Sequence, residues 1–148
     1  MVFTSNSPAE TESIGEIVAR TLKAGSVVIL KGAIGSGKTV FTKGIAKSLG
    51  ITEVITSPSY TISAEYRGDV LLRHIDLYRT DSDEELELLG FDELSGGPAV
   101  AVIEWGEKAA HFLPDPDVIV EFEILAGEKR VITVAGIRDE KKRTIACQ

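Results

Sequence analysis

Cysteine is almost missing from this chain of 148 residues: the one thiol, Cys147, has no second cysteine to pair with, so neither an internal disulfide nor a cysteine metal site supports the fold. No Lys or Arg precedes Arg20 and no apolar run reaches spanning length, which argues against a signal peptide, a transit peptide and a membrane helix. A cytoplasmic protein without membrane contact is the expectation that follows. Basic residues are outnumbered, 16 against 23 acidic, for a formal charge of −7. That is the wrong sign for a protein that grips nucleic acid by neutralising phosphates, so any contact with RNA is expected to be indirect. Asparagine and glutamine occur once each, as Asn6 and Gln148, a scarcity that matters once a binding site is in view.

Hydrophobic residues make up 43% of the chain, and no low-complexity stretch, internal repeat or linker divides it. The expectation is one domain over residues 1–148, with roughly the last ten residues partly disordered. Ser7, Pro8 and Glu10 read as N-cap, first helical position and capping-box acid. With Ile14, Ile17, Val18 and Leu22 at helical spacing, they predict a helix of about 16 residues that Gly25 stops. Val27-Val28-Ile29-Leu30 is continuous and mostly β-branched, as in a strand buried on both faces of a parallel sheet. A second helix is expected over about 39–49, ending at Gly50. Residues 60–66 and 70–77 predict an antiparallel hairpin around Arg67-Gly68-Asp69. Ser82 and Glu85 open a short acidic helix closed by Gly90, 98–105 reads as a second buried strand, and 107–112 as one or two helical turns. After Pro114-Asp115-Pro116, residues 118–125 and 130–135 predict a closing hairpin around Gly127. The fold class is therefore α/β: three layers, a mixed, partly antiparallel central sheet, and helices on both faces.

Between the first buried strand and the second helix stands Gly32-Ala33-Ile34-Gly35-Ser36-Gly37-Lys38-Thr39. A Gly-x4-Gly-Lys-Thr string leaving a strand and opening a helix brings successive backbone N–H groups and a helix N-terminus onto one anion. Gly32, Gly35 and Gly37 let the backbone close on a phosphate. Lys38 is suited to the β- and γ-phosphates, and the Thr39 hydroxyl to Mg²⁺. With Asn6 as the one asparagine, the Asn-Lys-x-Asp element that reads guanine cannot exist, so ATP is expected over GTP. With Gln148 as the one glutamine, no residue of that type is available to orient an attacking water.

A phosphate loop needs a carboxylate at the end of a neighbouring strand. Glu104 ends Val100-Ala101-Val102-Ile103, and Asp76 ends Leu71-Leu72-Arg73-His74-Ile75. Either carboxylate could instead cap a helix or lie on the surface. His74 shares a strand face with Asp76, as its partner or as a satisfied core histidine. Trp105 follows Glu104, as a core or lid aromatic beside the proposed metal ligand. Ser57-Pro58-Ser59-Tyr60-Thr61 lies where nucleotide switches place a γ-phosphate sensor, though Pro58 could equally start an edge strand.

These pieces stand in one order: the loop, Ser57 to Thr61, His74-Ile75-Asp76-Leu77-Tyr78-Arg79, Glu85-x4-Gly90, and Ile103-Glu104-Trp105. Over about residues 7–120 the chain resembles the TsaE family of tRNA threonylcarbamoyladenosine biosynthesis ATPases. The resemblance implies a P-loop ATPase that is weak alone and works with the TsaD and TsaB subunits. It implies Lys38, Asp76 and Glu104 as the catalytic set, and Thr39 and Glu104 as Mg²⁺ ligands. Thr11, Gly32, Gly35, Ser36, Gly37, Lys38, Thr39, Val40, Trp105 and Arg130 are the nucleotide-binding set it implies, with Thr11 and Arg130 toward the adenosine. Two positions depart from the family's habit: Ala33-Ile34 stand for Asp-Leu, and Ser59 for Thr. Two other classes share the loop. A small-molecule kinase would usually carry an arginine-rich lid, and no arginine cluster follows the loop; a nucleotide-sensing module without turnover would suit the missing glutamine.

Overall fold

Val27, Val28, Ile29 and Leu30 form the strand β2 (Val27–Lys31), and all four are buried. In the computed structural model, which describes residues 1–33, 35–56, 63–77, 97–105 and 115–136, β2 is the middle of a seven-stranded sheet. Its other strands are β1 (Val2–Ser5), β3 (Ser63–Tyr66), β4 (Leu71–Asp76), β5 (Ala99–Glu104), β6 (Val118–Ile124) and β7 (Arg130–Gly136). The order is β1-β7-β6-β2-β5-β4-β3. β6, β2, β5 and β4 run parallel, and β1, β7 and β3 join antiparallel at the flanks. The mixed sheet and both hairpins are as the sequence predicts. Asp117 fixes the starts of two neighbouring strands, accepting a 2.8 Å hydrogen bond from the Val27 amide through Oδ2.

Two helices, α1 (Pro8–Ala19) and α2 (Lys38–Ser48), share one apolar cluster with a single face of the sheet. Ile14 and Val18 meet Phe41 and Ile45 over Val28, Leu30, Val100, Val102, Val120 and Ile132, an alternation of period two along each strand. Residues of the opposite face, Ile29, Ile75, Ala101 and Ile103, are buried as well. The helices expected from Ser82 and over 107–112 lie outside the described residues, as do the segment 57–61 and the C-terminal tail. Among the described residues no helix is long and apolar enough to cross a membrane.

At the start of α1 Ser7 Oγ accepts from the Glu10 amide at 3.2 Å, as an N-cap should, while Glu10 Oε1 accepts at 2.6 Å from the amide of Asn6, one residue before the cap. Its far end differs from expectation. The helix has 12 residues rather than about 16 and stops at Ala19. There the Val18 carbonyl accepts both the amide and the hydroxyl of Thr21, and this tightened turn closes the helix before Leu22. Gly25 is not the stop; its amide donates to the Ala99 carbonyl and leads the chain into β2. β1 was not expected at all. Four residues carry too little period to read, and their ladder with β7, Val2 opposite Thr133 through Ser5 opposite Arg130, is a contact across the whole chain.

Candidate functional site

The parallel strands β2, β5 and β4 end side by side, so Gly32, Glu104 and Asp76 meet along one edge, the usual place for a ligand on such a sheet. The loop after β2 is shaped by glycine. Gly35 and Gly37 have φ of 83° and 107°, left-handed values that cost a β-carbon-bearing residue about 1 kcal/mol or more. At Gly32 the constraint is space: a Cβ there would lie 2.7 Å from Ser36 Oγ and 3.0 Å from Phe122 Cβ.

α2 then starts at Lys38 with Gly37 as its N-cap and no side-chain cap on its first amides. Ser36 Oγ is buried and has no hydrogen-bond partner among the described residues. Uncapped amides, a buried hydroxyl and an ammonium on one loop are donors in excess of acceptors, the donor set an anion fits. Lys38 Nζ reaches three neighbours. It donates to the Gly32 carbonyl at 2.7 Å, lies 3.9 Å from Glu104 Oε1, and sits 4.2 Å from the centre of the Trp105 ring. Trp105 takes φ of 62°, the one non-glycine residue with positive φ among those described. That turn directs the chain out of β5 so that the indole faces the loop lysine.

Two clefts flank the loop and share Gly35, Gly37 and Val40. One, of about 230 Å³, adds Lys38, Thr39 and Glu104. The other, of about 180 Å³, adds Ser7, Pro8, Thr11, Glu128 and Arg130. The structure thus brings Thr11 and Arg130, distant in sequence, to one wall beside the glycine-rich loop. Arg130 crosses from β7, Nη2 donating to the Gly35 carbonyl at 3.3 Å and Nη1 to the Gly127 and Lys129 carbonyls. Thr11 is buried, with its hydroxyl 2.7 Å from that of Ser5. Its methyl group, not its hydroxyl, is therefore the part turned to Gly37. Asp76 is buried beside Glu104 in the adjacent strand and does not line either cleft.

Glu104 is held from behind. His74, fully buried on β4, places Nε2 2.7 Å from Glu104 Oε2. Of the two readings of His74 open in the sequence, the geometry makes it a partner, but of Glu104 rather than Asp76. Glu128 was missed by sequence reasoning; its only signal is a place two residues before Arg130 in the closing hairpin. Tyr78 and Arg79 lie outside the described residues.

Comparison with known proteins finds relatives over most of the chain. Residues 5–132 match the family model described as threonylcarbamoyl adenosine biosynthesis protein TsaE. The tRNA threonylcarbamoyladenosine biosynthesis protein TsaE of Treponema pallidum is 47% identical over 131 residues, covering 88% of this chain and 97% of that one. Its namesake in Bacillus subtilis is 39% identical over 131 residues, covering 88% and 82%. The crystal structure of Bacillus subtilis YdiB superposes with a TM-score of 0.81 at 32% identity, over 97% of this chain and 89% of that one.

Proposed function

The chain belongs to the TsaE family, and from that membership and the loop geometry we propose that it binds Mg²⁺-ATP, hydrolyses it, and so serves tRNA threonylcarbamoyladenosine formation in the cytoplasm with TsaD and TsaB. Its contact with tRNA is indirect, in keeping with the formal charge of −7. The observation that carries the reading is the loop itself: left-handed turns at Gly35 and Gly37, an uncapped helix start, and Lys38 between the loop and Glu104.

Each residue has a part in this reading. The amides of Gly35 to Thr39 and the Ser36 hydroxyl hold phosphate oxygens, and Lys38 gives up the Gly32 carbonyl to neutralise them. Thr39 and Glu104 would hold Mg²⁺, which would supply charge neutralisation at the phosphates. Among the described residues no group of three or more His, Cys, Asp or Glu side chains forms a ready cage. A cation held by Thr39 and Glu104 would take its remaining ligands from the nucleotide's own oxygens and water, as Mg²⁺ prefers. Asp76 completes the polar end of β4 beside Glu104. The cleft between Thr11, Val40, Glu128 and Arg130 takes the adenosine.

Reconstitution tests the reading. The chain added to the other pathway proteins with their substrates, tRNA and ATP is expected to restore multiple-turnover formation of threonylcarbamoyladenosine, and the Lys38→Ala variant to leave it at background. Equal product with the variant, or ATP turnover indifferent to TsaD and TsaB, would overturn it.

A further inference from the structure

We propose that His74 is a positioning residue for Glu104, holding one carboxylate oxygen so that the other faces the phosphate cleft. The inference deepens the reading above and rests on it. β4 and β5 run parallel with Asp76 opposite Glu104 and His74 opposite Val102, so His74 and Glu104 lie diagonally on the same face of the sheet. That is the face on which α2 packs. The imidazole is fully buried, and its Nε2 lies 2.7 Å from Oε2 of Glu104, a residue itself 4% exposed. A carboxylate offers only acceptors, so Nε2–H donates.

The terminal torsion of a glutamate is broad and roughly two-fold. With Oε2 engaged, that freedom is removed. Oε1 then points to Lys38 Nζ, 3.9 Å away, and Glu104 lines the cleft shared with Thr39. The second nitrogen completes the argument. Nδ1 is buried and has no hydrogen-bond partner among the described residues. A histidine kept only to fill the core would leave the same nitrogen stranded where an apolar side chain would leave none. The bond to Glu104 is what the ring contributes that leucine cannot.

Fluorescent ATP titrations test this in EDTA and in excess Mg²⁺, with wild type and the His74→Leu, His74→Gln and His74→Asn variants. In His74→Leu, EDTA affinity is expected to stay within about twofold of wild type while the gain on adding Mg²⁺ falls about tenfold, as when the hydrogen-bond partner of a metal ligand is removed. His74→Gln, whose amide nitrogen reaches the position of Nε2, recovers most of that gain; His74→Asn, one methylene shorter, does not. If His74→Leu fails to fold, the two amides carry the test, with melting curves run beside each titration. An undiminished Mg²⁺ gain in His74→Asn, or in a folded His74→Leu, overturns the proposal, as does a loss that is the same with and without Mg²⁺ and follows the melting temperature. Those results leave the ATPase reading standing, whereas a wild-type chain that binds no nucleotide overturns both.

Discussion

Lys38→Ala is expected to weaken Mg²⁺-ATP binding by about 100-fold and to abolish turnover. Its ammonium is the one charged donor on the loop, buried, and shared among the Gly32 carbonyl, Glu104 and the Trp105 ring. Removing a charged donor from a desolvated anion site costs about 3 kcal/mol, which is about two factors of ten in affinity. The fold should survive, because Glu104 keeps its hydrogen bond to His74 when the lysine is gone. Calorimetric titration measures the first effect and thermal denaturation the second. Lys38→Arg is expected to bind poorly too, since a planar fork cannot take the place of a compact ammonium beneath the loop. Wild-type affinity in Lys38→Ala would show that the loop is not the phosphate site.

The second large effect belongs to the seam between the helices. A Cβ on Gly44 of α2 would strike the Glu12 carbonyl oxygen, and one on Gly15 of α1 would strike that of Phe41. Both obstacles are backbone, so the helices must part to admit a methyl group. Alanine in a helix interior gains about 1 kcal/mol over glycine from propensity alone. Overpacking costs about 3 kcal/mol at the upper end of its usual range, and separating α1 from α2 also loosens Ile14 and Val18 from Phe41 and Ile45. The clash wins, and Gly44→Ala should lower the melting temperature by roughly 6 °C. Because Ser7 and Thr11 ride on the same end of the chain and line the cleft beside the loop, nucleotide affinity should fall with stability. A raised melting temperature would contradict this account of the seam.

Local signals were legible where local physics decides them. The N-cap at Ser7, the β2-loop-α2 unit and the β3-β4 and β6-β7 hairpins follow from spacing, turn residues and apolar period, and the structure has all of them. The strand-end carboxylates were legible for the same reason, as Glu104 and Asp76 each close an apolar run. What the sequence hides is register. That His74 serves Glu104 rather than its near neighbour Asp76 depends on β4 lying beside β5 in one alignment out of several. β1 exists because β7 is there to pair with it, and Arg130 reaches Gly35 across 95 residues of chain. α1 ends earlier than its apolar period predicts because the Thr21 amide and hydroxyl both engage the Val18 carbonyl, a local hydrogen bond that periodicity does not express.

A crystal structure with Mg²⁺ and a non-hydrolysable ATP analogue tests the central claim most directly. The account predicts the triphosphate against the amides of Gly35 to Thr39, the Lys38 ammonium moved from the Gly32 carbonyl onto a phosphate oxygen, and Glu104 bound to the cation while Oε2 stays on His74. Lys38 still on Gly32, with the analogue elsewhere or absent, would contradict it.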